Sequence, residues 1–450
     1  MTELRKALTT FDGVALLIGI TIGSGIYSTP YLIAGYFGSY TGVVATWLVV
    51  SLFVFTGGLI YAELGSRMPT TGGEYAYIRH AYGRRAGFLF GWAQLFIIRT
   101  SPAAGLAIVA ADYIAFFVPL PGSRHTMVAL GIIALLGVFN YMDVRWSALF
   151  QRATTVMKVG GLVLFALLFA VLLGGSESQL HSVAAPLGDG GFLSRLIPAL
   201  MLIVFTHTGF DRVGYVAGEM TNPRQIIPRS MMIGLGIVIG VYVTTISIYH
   251  YVLGMEALRA TTIPAAAVAQ EMLGPLGASA IAILAIVSAV SSINGTMLSS
   301  SRVYYAMARD RLLFRSFDYI HPRFRTPSRA VVAHAVWGGV ILVARSEFET
   351  IAAGMVFAIL IFYTMTTLAL FKFRREHVGE DDEEENGKIF RVPFWPVLPA
   401  CYLVGVVGLL VFRAVFQWRE SFVDLMMVLT GIPVSYFWLS RNHAPEDRSP

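Results

Sequence analysis

The chain has 450 residues, 56% of them apolar and 13% charged, with a formal net charge of +6 and a mean hydropathy of +0.67. That composition excludes an ordinary soluble domain and fits a chain that crosses a bilayer many times. Basic loops beside anionic lipid account for the positive balance without nucleic acid, and the single cysteine, Cys401, offers neither a disulfide framework nor a zinc cluster.

Hydrophobic runs long enough to span a bilayer begin at roughly 12–36. This first run, FDGVALLIGITIGSGIYSTP, is interrupted at Gly23, Ser24 and Gly25. It continues past signal-peptide length and lacks a small-residue cleavage site, so it is expected to stay in the mature protein. Runs follow at roughly 41–63, 86–118, 126–141 and 147–174; the third carries Arg99 and the fifth Lys158. The sixth, at roughly 194–219, reads RLIPALMLIVFTHTGFDRVGYVAGEM and is interrupted from Thr206 to Asp211. Six more lie at roughly 230–254, 276–307, 329–344, 349–371, 394–413 and 421–440. The acidic run Glu380 to Glu385 reads as a solvated, disordered linker.

The expected fold is therefore an all-α integral membrane protein of about twelve transmembrane helices. Residues 1–450 are expected to form one polytopic domain: a first repeat at 11–174, a second at 194–374, two additional helices at 392–440, and an acidic cytoplasmic linker at 376–390. The repeat assignment rests on the matching positions of the two breaks. With the N-terminus inside, about 23 Lys and Arg fall on the inner side. About 6 (Arg124, Arg195, Arg259, Arg345, Arg413 and Arg419) fall on the outer side. Both termini are thus expected in the cytoplasm.

The breaks carry the chemistry. Irregular backbone in a bilayer survives only where it lines a cavity or ligand, and corresponding breaks in two halves point to a transporter binding site. A helix that stops and restarts offers carbonyls on one side and amides on the other. The amides of Ser24, Gly25 and Ile26 would face an α-carboxylate, while carbonyls near Thr21, Phe205 and Thr208 would accept an α-ammonium. Gly23 and Gly25 could alternatively serve only close helix packing. Ionisable groups within spans are functional candidates: Lys158, Arg99, and Asp211 with Arg212. Glu63, Arg302 and Glu219 read as local ion pairs or snorkelling groups near span ends, and His207, His250 and His334 as hydrogen-bonded interior histidines.

The stretches GSGIYSTP, YAELGSRMPTTGGEYAYI, LFIIRTSPAAGLAIVAADYI, GEMTNPRQIIPRS and INGTMLSSSRVYYAMARD resemble bacterial members of the amino acid, polyamine and organocation transporter superfamily, close to the L-type amino acid transporters. The resemblance covers roughly residues 10–330 and implies the LeuT-like five-plus-five inverted repeat with discontinuous helices 1 and 6. It also implies that Gly23, Ser24 and Gly25 form the carboxylate-binding turn and that the Thr21 carbonyl meets the amino group. Phe205 would lie over the substrate and Gly209 at the unwound point. Ile97, Ile98, Ser292 and Thr296 would be pocket positions. Lys158 would stand where sodium-coupled relatives hold their ion, implying sodium-independent transport. Eukaryotic L-type members carry an external cysteine for a heavy glycoprotein; no such disulfide-linked subunit is expected here.

The sequence thus points to a secondary transporter in the cytoplasmic membrane, moving amino acids by alternating access, by exchange or proton coupling. Coupling or gating falls to Lys158, Asp211 and Phe205, with no cofactor, metal or nucleic acid. A polyamine or cationic amino acid permease is the alternative. A membrane-embedded enzyme using His207 and Asp211 and a channel are rivals from other classes.

Overall fold

A computed structural model describes residues 8–23, 25–70, 72–142, 144–172, 179–185 and 191–441. Its helices start where the sequence supplies caps. Thr9 and Asp12 form a reciprocal capping box at the first helix, and the Ser39 hydroxyl accepts from the Gly42 N–H at the next span. Pro223 and Pro264 open two others, where a missing N–H removes no helical bond.

Twelve spans result when the bent first pair is taken as one. Span 1 is Thr10–Thr21 plus Gly25–Tyr36, span 2 Tyr40–Arg67, span 3 Arg84–Ala115, span 4 Ser123–Met142, and span 5 Val144–Leu172. Span 6 is Phe192–Glu219, span 7 Pro223–Arg259, span 8 Pro264–Arg309, span 9 Ser328–Arg345 and span 10 Phe348–Arg375. Val397–Phe416 is span 11 and Trp418–Trp438 span 12. The sequence pattern set the apolar stretches well but not the helix ends. Spans 7 and 8 run beyond them through kinks at Gly254 and Gly274, both at φ +68°.

Burial separates an inner from an outer set. In span 3, 94% of the apolar window is buried inside the protein, and in span 10, 72%. Span 5 buries 17% and span 11 22%, leaving their apolar faces for lipid. Small residues bring the inner helices close, as is usual where lipid removes the hydrophobic drive for association. A Cβ on Gly13 would stand 2.2 Å from Ser230 Oγ, and one on Gly58 2.3 Å from a Leu235 methyl.

The acidic loop departs from the expected solvated linker, because basic groups on neighbouring helices attract it. Glu380 pairs with Arg67 at 3.1 Å, and Arg224 donates to the Gly379 and Gly387 carbonyls. Glu63 pairs with Arg67 and Arg374 and accepts the Val392 N–H, so its ion-pairing expectation holds.

Candidate functional site

In span 1, ψ 84° at Ile22 takes the chain off the helix, and the Gly23 N–H turns back to the Thr21 carbonyl at 2.8 Å. Gly19 thereby loses its usual i+4 donor. Its carbonyl instead accepts from the fully buried Lys158 ammonium at 2.5 Å. The helix restarts at Gly25, bent by 48°. Ser24 lies outside the described residues.

The second break is narrower than the sequence indicated. Thr206 and His207 are still helical and Phe210 and Asp211 already belong to a 3-10 helix, so only Thr208 and Gly209 leave helical structure. Gly209 adopts φ +121°, a conformation that side chains resist. Thr208 returns both its N–H and hydroxyl to the Phe205 carbonyl, and Asp211 Oδ1 accepts the Gly209 N–H at 3.2 Å. Local bonding needs so few residues that the break closes quickly.

The two breaks touch. A Cβ on Gly25 would lie 3.0 Å from Thr206 Cγ2, and one on Gly209 2.8 Å from Ile20 Cγ2. Tyr242 of span 7 reaches both: its hydroxyl stands 2.7 Å from the Thr21 carbonyl and 2.9 Å from that of Thr206. One hydroxyl proton serves one acceptor at a time, so the tyrosine bridges the breaks by sharing.

Between them lies a cavity of about 60 Å³, against roughly 10–15 Å³ for one water-sized sphere. Of the residues that the sequence reading names for the site, Thr21, Gly23, Gly25, Phe205, Thr208, Ser292 and Thr296 line it. Ile97 and Ile98 do not; span 3 contributes Pro102 and Leu106, one turn further on. The cause is a five-residue π-helical turn at Gln94–Ile98, which rotates the helix face and buries both isoleucines in packing. Ile26 is likewise packed away, and Gly209 faces Ile20 and Thr21 rather than the cavity. Sequence reasoning missed Gln151 and Arg212 as lining residues; Arg212 had been noticed only as an ionisable group in a span.

Asp211 turns away from the cavity. Its Oδ2 pairs with Arg99 at 3.1 Å, and Arg99 also donates to Gln94 and Tyr215. His207 uses both ring nitrogens, on the Ile203 carbonyl and on the Ser51 hydroxyl, which leaves no acid–base pair with Asp211. Three polar atoms at the cavity have no hydrogen-bond partner among the described residues: Thr21 Oγ1, Ser292 Oγ and Arg212 Nε. Buried polar atoms are rarely left so.

Two further contacts tie the broken spans to their surroundings. On one side Phe205 meets Phe348 edge to face at 5.5 Å, and the Tyr36 hydroxyl donates to Glu349. On the other, the N-terminal segment is strapped to the end of span 6, with Leu8 N–H on the Glu219 carbonyl and Thr221 N–H on the Leu8 carbonyl.

Comparison with known proteins places the chain among amino acid transporters. The serine/threonine exchanger SteT of Bacillus subtilis (strain 168) is 27% identical, over 96% of this chain and 97% of its own. The human cystine/glutamate transporter is 26% identical over 98% of this chain and 87% of its own. The human large neutral amino acids transporter small subunit 2 is 26% identical over 98% and 82%. The family model described as amino acid permease matches residues 8–433, and the chain belongs to that family of membrane transporters, which are not enzymes.

Proposed function

We propose that the protein is a secondary active transporter that carries amino acids across the cytoplasmic membrane by alternating access. The observation that carries this reading is the cavity between two touching helix breaks, lined by residues that hold unpartnered polar atoms. Gly25 begins a helix whose amides suit an α-carboxylate. The first repeat and the second would rock against each other as inverted repeats about this site. The Phe205–Phe348 contact would part in one state and the Leu8–Glu219 strap in the other.

Sodium independence is part of the proposal. Lys158 supplies a positive charge to the Gly19 carbonyl, the kind of oxygen a sodium ion would otherwise bind. Movement by exchange or with a proton is compatible with that arrangement. The positive-inside distribution supports cytoplasmic termini, and the one cysteine, exposed within span 11, supports action without a disulfide-linked partner. The cationic-substrate alternative is weakened because Asp211 is engaged by Arg99 and Arg212 takes the place on the cavity wall.

Proteoliposome uptake of radiolabelled amino acids tests the reading. Saturable uptake is expected, undiminished when sodium is replaced by choline and faster when the opposite side is loaded with substrate. Strict sodium dependence would remove the role given to Lys158. Uptake of no amino acid would remove the transport reading.

A further inference from the structure

The cavity wall carries a charge that the backbone of an α-amino acid would not account for. Arg212 is 91% buried by its 9% exposure and lines the cavity. Its guanidinium makes no hydrogen bond or ion pair among the described residues, and its Nε is enclosed without a partner. A lone buried cation is costly in a membrane protein and is ordinarily paired or solvated.

The acid beside it is already used. Asp211, its sequence neighbour, is bonded to Arg99 and to the Gly209 N–H. Another cation, Arg99, repels the Arg212 charge, and Asp211 attracts it. The α-carboxylate of an amino acid has its own receptor at the helix start by Gly25. What remains is a guanidinium with no bonded acceptor on a residue of the cavity lining, the kind of group that recognises a second carboxylate with two parallel hydrogen bonds.

We propose that the substrate is an acidic amino acid and that Arg212 binds its side-chain carboxylate. The assignment rests on the amino acid transport reading and names the substrate class within it. The small cavity favours a short acid such as aspartate or glutamate. The unpartnered Ser292 and Thr21 hydroxyls are placed to bond a ligand in the same space.

The experiment compares isosteric pairs in proteoliposomes holding the full chain: aspartate against asparagine, glutamate against glutamine, with serine and leucine as neutral references. Wild type is expected to prefer the acid of at least one pair by about a hundredfold in kcat/KM. Arg212→Gln is expected to reduce that acid-to-amide ratio about a hundredfold, and Arg212→Lys to restore part of it. Substrate-induced thermal stabilisation of the purified variants provides a readout if transport is impaired. Uptake of neutral amino acids with rejection of both acids would overturn the assignment while leaving transport intact. An unchanged acid-to-amide ratio in Arg212→Gln would also overturn it. Uptake of no amino acid would instead overturn the transport reading beneath it.

Discussion

At the break in span 1, the exposed carbonyls are held by groups from other spans, Lys158 on Gly19 and Tyr242 on Thr21. At the break in span 6, the chain supplies most of its own partners. Thr208 bonds back to Phe205, Asp211 accepts the Gly209 N–H, and Gly209 provides the positive φ. The first break is therefore a tertiary construction and the second largely a local one. Changes on span 5 should loosen the first selectively, changes at Tyr242 of span 7 should reach both, and the second should otherwise respond to its own residues and to Arg99.

The strongest disruption is expected where the breaks meet. Gly25→Val places a branched side chain against Thr206, whose Cγ2 already stands 3.0 Å from the position of a Cβ. Uptake should be abolished while membrane insertion, followed by expression and detergent-stable size exclusion, persists. Wild-type uptake by this variant would show that the contact is not needed.

Lys158→Met should come next, because it leaves the Gly19 carbonyl buried and unpaired, at about 1–3 kcal/mol. Near-complete loss of uptake with residual substrate binding is expected. Hydrogen exchange should quicken around residues 19–25 and stay unchanged around 208–212. Equal loosening at both breaks would erase the distinction drawn between them.

Asp211→Asn tests the self-sufficient break from its own side. Arg99 loses a buried counter-charge, for which about 3 kcal/mol of destabilisation is the lower end of the usual range. The amide oxygen can still accept from Gly209, so the break should keep its shape. Thermal stability should fall while the order of substrate preference is retained; a reordered preference would mean that Asp211 reaches the substrate.

Tyr242→Phe removes a shared hydrogen bond worth about 1 kcal/mol, so a roughly fivefold change in apparent affinity is expected, read by uptake competition. The smallest effect concerns Glu74, on the short helix Glu74–Tyr82 between spans 2 and 3. Burial, with Asp211 nearby, raises its carboxyl to about 8 against the opposing Tyr61 hydrogen bond. A raised carboxylate pKa stabilises the fold below the ordinary value near 4.5, and that contribution is lost as pH rises through about 8. Wild type should thus lose melting temperature relative to Glu74→Gln between pH 5 and 8.5. Parallel pH profiles would refute this.

The amino-acid sequence by itself determined the twelve apolar runs, because bilayer thickness demands them, and it marked both breaks through residues that a continuous lipid-facing helix has little use for. It also made Lys158 conspicuous, since an ammonium in a span needs a partner. It did not determine which way the ionisable residues beside the second break point. Asp211 and Arg212 are adjacent, and the three residues per turn of their 3-10 helix set neighbours about 120° apart; packing against Arg99, 112 positions away in sequence, sent the acid out of the cavity and left the base on its wall. The π-helical turn in span 3 likewise moved the lining from Ile97 and Ile98 to Pro102 and Leu106. Local pattern fixes which segments are helical and apolar, but helix rotation and the pairing of distant side chains exist only once the spans are packed together.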